Sequence, residues 1–298
     1  MRNDLRLLSV LLKDQTLSSA GNDTYISWAT DGYDSLGAST DGQITPEIIC
    51  EHNDWIRPRV EKHSTMQNLR SKSHAEVFTP SWICNSQINL VDEQWFGRKD
   101  VFNSEYTTEE GEHRWATSTS PITFPKGKTW MGYVRSRRME ITCGEGPYIV
   151  SRYDATTGKE IPIRERIGML DRKFRVINEN TPSEPTKANK RHWMRKAYQA
   201  IQSVYGFDYQ GDNVFLTRES VLLSFCDYYR ERWHRMPHKE AMLKAAEIIS
   251  WNIWQMNGLD FTVPQTGVHA VIMEWHGTEP LSGKKVAYKD LIKQKETK

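Results

Sequence analysis

The sequence predicts an α/β protein built on a parallel sheet. Between residues 193 and 255, apolar residues at helical spacing alternate with short β-type runs, in the order helix, strand, helix, helix, strand. This alternation is typical of parallel strands joined by crossover helices. The 298 residues fit one large domain with insertions and a smaller N-terminal piece. Because ligands of such sheets bind beyond the carboxyl ends of the strands, chemistry is expected in the turns there.

Charge and cysteine spacing exclude several classes of protein. The chain has 40 Lys and Arg residues against 38 Asp and Glu, a net charge of +2 that excludes a strongly basic nucleic-acid-binding coat. Its four cysteines are far apart and predict neither a disulfide framework nor a metal site. Apolar runs stay shorter than the roughly 18 residues of a membrane span. We therefore expect a soluble cytoplasmic protein without a membrane partner.

The predicted organisation is an N-terminal extension over residues 1–73 and a main domain over residues 74–298. Gly, Ser, Asp and Thr dominate residues 18–45, which indicates a loop-rich extension. Thr79 followed by Pro80 predicts a helix start, because Thr caps free amides and Pro suits the first helical position. Residues 155–189 are polar and contain proline, apart from a central apolar part, and predict an insertion.

Strands and helices can be placed by the spacing of apolar residues. Residues 133–142 predict a strand that runs into a glycine-containing turn. Residues 193–201 and 214–225 have helical spacing, and residues 203–208 between them predict a second strand. A further helix ends before residues 252–255, which predict a third strand. The three strands are expected to lie side by side in the parallel sheet.

The segment Glu140-Ile-Thr-Cys-Gly-Glu-Gly-Pro-Tyr places an acid at the end of a predicted strand, followed by a Gly-x-Gly turn. The glycines allow backbone amides to come close to a ligand, and the acid can accept hydrogen bonds from an amine or hydroxyls. The alternative is a simple tight turn. Asp208 ends the next strand, where a carboxylate suits the two hydroxyls of a ribose; alternatively, Asp208 caps the following helix.

Four segments together resemble a known family, the N6-adenine DNA methyltransferases of restriction-modification systems, including the type I modification subunits. The segments are His74-Ala-Glu-Val-Phe-Thr-Pro80, Glu140 to Tyr148, Tyr205-Gly-Phe-Asp208 and Ile253-Trp-Gln-Met-Asn-Gly-Leu259. They occur in the family's order. Glu140 stands where the family usually has Asp, Asn257 stands where Asp would contact adenine, and Met256 stands where Gly is usual.

The resemblance implies a Rossmann-like methyltransferase fold, in this chain partial, that binds S-adenosylmethionine (SAM). It also implies a setting in restriction-modification or phage counter-defence, with DNA as the partner and the adenine N6 amine as the methyl acceptor. The cofactor-binding residues that it implies are Phe78, Thr79, Pro80, Glu140, Thr142, Gly144, Gly146, Asp208 and Asn257.

The chain departs from the family at the catalytic motif. Family members carry Asn-Pro-Pro-Tyr after the next strand, whereas this chain has no Pro-Pro dipeptide. At the corresponding place stand Glu274, Trp275 and His276, where Trp275 can stack on a base and its neighbours can accept a hydrogen bond from an amine. The alternative, which we favour, is a hairpin of residues 271–275 and 285–288.

Three functions therefore remain open from the sequence. The chain is a SAM-dependent methyltransferase-like protein, a catalytically inactive scaffold that binds nucleic acid or a protein, or one subunit of a split enzyme. In the third case a protein partner supplies the missing motif. Loss of the Pro-Pro motif favours the scaffold, while retention of Glu140, Gly144, Gly146 and Asp208 favours cofactor binding.

Overall fold

The protein is a mixed α/β structure with small sheets. A computed structural model describes residues 1–62, 79–276 and 282–296. The helices are α1 Leu5–Leu12, α2 Pro46–Glu51, α3 Ser81–Phe96, α4 Trp130–Val134, α5 Met169–Asn180, α6 Lys187–Gln202, α7 Gly211–Trp233, α8 Lys239–Asn252 and α9 Tyr288–Glu296. The strands are β1 Asn103–Thr107, β2 His113–Thr117, β3 Arg138–Ile141, β4 Val204–Asp208, β5 Ile253–Gln255, β6 Val271–Trp275 and β7 Gly283–Ala287. Over the described ranges, no helix is long and apolar enough to cross a membrane.

The predicted parallel sheet is confirmed and has the order β3-β4-β5. Its second and third strands lie where the apolar spacing places them. The first strand is shorter than predicted, because residues 130–134 form the helix α4 instead. Thr129 caps this helix by accepting a hydrogen bond from the Gly132 amide, and Tyr133 is buried in an aromatic cluster. Local capping and aromatic packing thus override the strand pattern.

The two faces of the sheet pack on different clusters. Val204 and Ile253 belong to the main hydrophobic core, which the helices share. Tyr205 and Phe207 point to the opposite face, where they form a smaller cluster with Tyr288 at the start of α9. This alternation follows from the two-residue period of a strand. The sheet is therefore fixed on both faces, and its carboxyl end is held in a defined position.

The N-terminal residues contribute to the main core. Helix α1 follows an Asp4 cap and buries Leu8 and Leu11 completely. Arg218 of α7 donates to the carbonyl oxygens of Leu11 and Ile253, at 2.6 and 2.7 Å, and so joins α1 to the sheet. The predicted loop-rich extension thus contains a core helix. The predicted boundary after residue 73 lies outside the described residues.

The segment predicted as an insertion also contributes a core helix. Helix α5 occupies residues 169–180 and completely buries Leu170 and Phe174. Its Arg172 is 2% exposed and donates to Asp92 of α3 at 2.7 Å. Because a buried charge is tolerated only when it is paired and hydrogen-bonded, this contact places α5 against α3.

Helix α3 begins one residue later than predicted. Pro80 precedes the helix rather than opening it, and the first amide, that of Ser81, donates to the side chain of Asp154 at 2.7 Å. Near the C-terminal end, the hairpin is confirmed: β6 pairs antiparallel with β7. Its second strand begins at Gly283 and ends before Tyr288, two residues earlier at the start than predicted. Hence residues 271–276 belong to a separate small sheet and not to the parallel one.

Candidate functional site at the ends of the parallel strands

The parallel sheet brings the two predicted acids, Glu140 and Asp208, to its carboxyl end. Glu140 pairs in register with Gly206, and Asp208 with Gln255, so the ends of β3, β4 and β5 lie side by side. The Met256 amide donates to the Asp208 carbonyl oxygen at 3.0 Å, which brings the chain after β5 to the same edge. Glu140 and Asp208 therefore lie near the carboxyl ends of their strands, as predicted.

Asp208 is a buried carboxylate that holds two turns together. It is 8% exposed, and its Oδ2 and Oδ1 accept hydrogen bonds from the amides of Gly144 and Gln210 at 2.8 and 3.0 Å. Burial raises the pKa of Asp208 to about 6, although the two amide donors oppose this shift. The side chain thus fixes the Gly-x-Gly turn to β4. Its Oδ1 also accepts from the Nδ2 of Asn213 at 3.5 Å, so Oδ2 is the oxygen that retains a lone pair for a ligand donor.

Glu140 has an unused acceptor atom. Its Oε2 is buried and has no hydrogen-bond partner among the described residues. Burial raises the pKa of Glu140 well above its ordinary value, and the negative charge of Asp208 adds to this effect; the amides of Tyr148 and Ile149 oppose it. A buried polar atom without a partner is costly in a folded protein, so it is a candidate contact for a ligand.

The glycine turn between these acids needs its glycines. Gly144 and Gly146 have φ angles of 53° and 74°, and Thr142 before them has a φ of 49°. A Cβ on Gly146 would lie 2.8 Å from the Thr217 side chain, whose hydroxyl donates to the Gly144 carbonyl at 2.7 Å. The turn therefore packs closely on α7, while Thr142 is exposed and donates to the carbonyl of Ile141.

The start of α3 lies beside Glu140, as the order of the motifs predicts. Burial raises the pKa of Cys84 to about 12, and the charge of Glu140 contributes to the shift. The Cys84 thiol donates to the Thr79 carbonyl, and the Tyr148 hydroxyl donates to Gln87 of the same helix. Thr79 and Pro80 are thus close to the Gly-x-Gly turn. Phe78 lies outside the described residues.

The side chain of Asn257 makes hydrogen bonds within the loop that follows β5. Its side-chain oxygen accepts a hydrogen bond from the Leu259 amide at 2.9 Å, and its Nδ2 donates to Asp260 at 3.2 Å. Its backbone amide donates to the Thr262 carbonyl at 2.8 Å. These contacts shape the turn that follows β5 and leave the Leu259 side chain 93% exposed.

The predicted catalytic candidates do not face one point. Trp275 donates from Nε1 to Asn252 at 2.7 Å and packs against the main core. Glu274 pairs instead with Arg137 at 2.9 Å, on the opposite face of the hairpin. His276 follows the strand, and its amide bonds to the Ser282 carbonyl. The strand alternation keeps Trp275 apart from its neighbours.

Sequence reasoning missed a cavity elsewhere in the molecule. It has a volume of about 1440 Å³ and lies between the β1–β2 hairpin, helices α5 and α7, and the loop before α5. Trp82, Trp115 and several arginines line it, and none of the predicted site residues does. The only signal in the sequence is a polar stretch with scattered aromatics. Among the described residues, no group of three His, Cys, Asp or Glu side chains is arranged to hold a metal ion.

Comparisons with protein-family models, curated proteins and solved structures found no match to this chain.

Proposed function

We propose that this chain binds SAM at the carboxyl ends of β3, β4 and β5, within a partial Rossmann-like methyltransferase fold. The observation that carries the proposal is the buried Oε2 of Glu140, which has no hydrogen-bond partner among the described residues and lies beside the buried carboxylate of Asp208. Both groups lie at the carboxyl end of a parallel sheet, where ligands of such folds bind.

The electrostatics of the site favour a cationic ligand. Two carboxylates whose pKa values are raised by burial gain stability when a positive charge approaches them. SAM carries a positive sulfonium and a positive α-amino group on one side, and ribose hydroxyls on the other. Glu140 would accept from the amine or a hydroxyl, and the remaining lone pair on the Oδ2 of Asp208 would accept from the ribose.

The turn between the acids fits the same ligand. The positive φ angles of Gly144 and Gly146 hold the backbone in a tight turn, and Tyr148 after this turn donates to Gln87 of α3. When bound, SAM supplies an activated methyl group. The protein's part would be to position this group and exclude water from it.

The resemblance to N6-adenine DNA methyltransferases makes an exocyclic nucleobase amine the methyl acceptor in this proposal. Flipping a base out of duplex DNA costs a few kcal/mol, which a formed base pocket must repay. Glu274 and Trp275 lie on opposite faces of a hairpin and so form no such pocket together. We therefore expect methyl transfer to DNA to require a second subunit.

Calorimetric titration with SAM tests the proposal. Wild type is expected to bind, and Glu140→Gln to bind about 10- to 150-fold more weakly, because a hydrogen bond to a charged group contributes about 1.5–3 kcal/mol. Glu274→Gln is the matched control, since Glu274 pairs with Arg137 away from the sheet edge. Equal affinities of the wild type and Glu140→Gln would contradict the proposed site.

The second candidate function is a non-enzymatic scaffold. It is favoured by the hydrogen bonds that Asp208 already accepts from Gly144 and Gln210, since these give the carboxylate a structural role of its own. Absence of SAM binding by a correctly folded wild type would favour this function. Repeating the titration with duplex DNA present would then separate a nucleic-acid scaffold from a protein-binding one.

A further inference from the structure

The cavity beside the β1–β2 hairpin follows one edge of a strand. All five residues of β2, from His113 to Thr117, line it, together with Ser118 and Thr119. Successive residues of a strand point to opposite faces. A cavity lined by every residue of β2 therefore runs along the strand's edge rather than over one face.

The hydrogen-bond register shows that this edge is unpaired. Ser118 donates to the Phe102 carbonyl and Thr108 to the Glu112 carbonyl, both at 2.9 Å. In an antiparallel pair with this register, residues 114 and 116 bond toward β1, and residues 113, 115 and 117 point their backbone groups outward. Among the described residues, these outward groups have no backbone partner. Such an edge is a template for another strand.

The opposite wall of the cavity contains a buried arginine. The side chain of Arg166 is 4% exposed, and its Nη1 has no hydrogen-bond partner in the described part of the chain. Its Nε donates to the Ile161 carbonyl at 3.4 Å, and its Nη2 donates to Asp227, which also pairs with Arg152 and Arg230. Asp227 is thus shared by three guanidinium groups, and the Nη1 of Arg166 is left without a described acceptor. An arginine nitrogen in this position suits a carboxylate.

Aromatic side chains complete the surface. Trp82 stacks on His113 with ring centroids 4.0 Å apart and remains 37% exposed, and Tyr106 of β1 is 50% exposed. The volume of about 1440 Å³ exceeds the roughly 300–1,000 Å³ of small-molecule sites. Exposed aromatics and arginine are the side chains that contribute most at protein interfaces.

We propose that this cavity binds an extended segment of a partner protein that carries an acidic side chain and adds to β2 as a third strand. Its backbone would pair with His113, Trp115 and Thr117, and an acidic side chain would reach the Nη1 of Arg166. This recognition mode takes affinity from backbone hydrogen bonds and specificity from side-chain pockets. A third strand would also support a hairpin that is marginal with two. The inference does not depend on SAM binding.

A library of random dodecapeptides displayed on phage tests the proposal. Peptides are selected on the wild-type chain and counter-selected on Thr117→Pro. Proline removes an outward amide and is tolerated at sheet edges, so the β1–β2 bonds should remain. The selected peptides are expected to combine β-branched residues with an Asp or Glu at a fixed position. Failure to enrich any peptide, or enrichment of peptides that Thr117→Pro binds equally, would overturn the proposal.

Affinities of the selected peptides are then measured by fluorescence anisotropy on variants checked by circular dichroism. Thr117→Pro and Arg166→Gln should each weaken binding about tenfold or more, as for loss of a hydrogen bond. The controls are Thr117→Val, which keeps the amide, and Arg164→Gln, whose side chain is 87% exposed. Both controls should bind within about threefold of wild type, since exposed pairs contribute little.

Two further measurements guard against misfolded variants. On peptide binding, hydrogen exchange at the outward amides of β2 should slow, while exchange at the β3, β4 and β5 amides of the Thr117→Pro variant should stay at the wild-type rate. Unchanged exchange at residues 113, 115 and 117 in a bound complex would contradict strand addition. Displacement of the peptides by a single-stranded 20-nucleotide DNA would assign the cavity to nucleic acid and equally overturn the proposal.

Discussion

The carboxyl end of the parallel sheet and the β6–β7 hairpin each carry a glutamate in a short strand. The two sites differ in whether their polar atoms have hydrogen-bond partners. At the sheet edge, the Oε2 of Glu140 is buried without a described partner, and the pKa values of Glu140 and Asp208 are raised. On the hairpin, Glu274 pairs with Arg137, and Trp275 bonds to Asn252.

The polar atoms of the first site include one that is available to a ligand, whereas those of the second site already have partners within the protein. A buried carboxylate oxygen without a donor lowers stability until a ligand satisfies it. A side chain that already has its partner contributes to folding instead. Substitutions at the carboxyl end of the parallel sheet should therefore change the pH dependence of stability and the affinity for a ligand. Substitutions on the hairpin should change stability alone.

The largest expected effect is the pH dependence of Asp208→Asn. The folded pKa of about 6 lies above the ordinary 3.8, so the wild type loses stability as the pH rises through this window. About two pKa units correspond to roughly 3 kcal/mol. Asn does not ionise, but it loses one amide hydrogen bond at every pH. In urea unfolding, the stability deficit of Asp208→Asn should thus shrink by about 3 kcal/mol between pH 3.5 and pH 7.

Asp260→Asn is the matched control for this pH dependence. The hydroxyl and amide of Thr262 lower the pKa of the exposed Asp260. Its ionised form therefore stabilises the folded protein above the ordinary pKa, and this contribution is lost as the pH falls. The deficit of the Asp260→Asn variant should grow with pH, which is the opposite sign. A stability deficit of the Asp208→Asn variant that is independent of pH would contradict the raised pKa of Asp208.

The next effect is a loss of stability without a loss of affinity on the hairpin. Trp275→Phe removes the donor that satisfies the Oδ1 of Asn252, a residue 1% exposed. An unsatisfied buried acceptor costs about 1–3 kcal/mol. Urea unfolding should show a loss of about 2 kcal/mol at pH 7, while calorimetry should give an unchanged affinity for SAM. Weaker SAM binding by the folded Trp275→Phe variant would make the hairpin part of the site.

The smallest expected effect is that of Glu274→Gln on stability. The pair of Glu274 with Arg137 is solvent-exposed, with side chains 29% and 65% accessible. Such pairs contribute about 0–1 kcal/mol. The free energy of unfolding should change within that range, and less at high salt because the charges are then screened. A larger loss would show that the hairpin depends on this pair for its position.

Much of the sheet was predictable, because its strands and helices carry strong local periodicity. Val204 to Asp208 are followed by a long helix with apolar residues at helical spacing, and the order of strands follows from the crossover helices. The acids at the ends of β3 and β4 were predictable for the same reason. Helix α4 was not, since burial of Tyr133 among other aromatics is a tertiary contact.

The cavity at β2 could not be predicted from the chain. Its edge faces α5, α7 and the loop that carries Arg166, all distant in sequence. Nothing in residues 113–117 shows which backbone groups remain unpaired, because this depends on the register with β1. Likewise, sequence spacing gives no sign that the side chain of Arg166 is buried, with one nitrogen that has no partner in the described part of the chain.

The sequence by itself determined the α/β class, the parallel strands and the acids at their ends, because periodicity and strand-end position are local properties of the chain. Tertiary structure alone decided which polar atoms are satisfied. Asp208 meets the amides of two turns, Glu140 is left with a buried acceptor, and Trp275 finds Asn252. Hydrogen-bond satisfaction depends on distances of about 3 Å between residues far apart in sequence, and these distances are set only when the core packs.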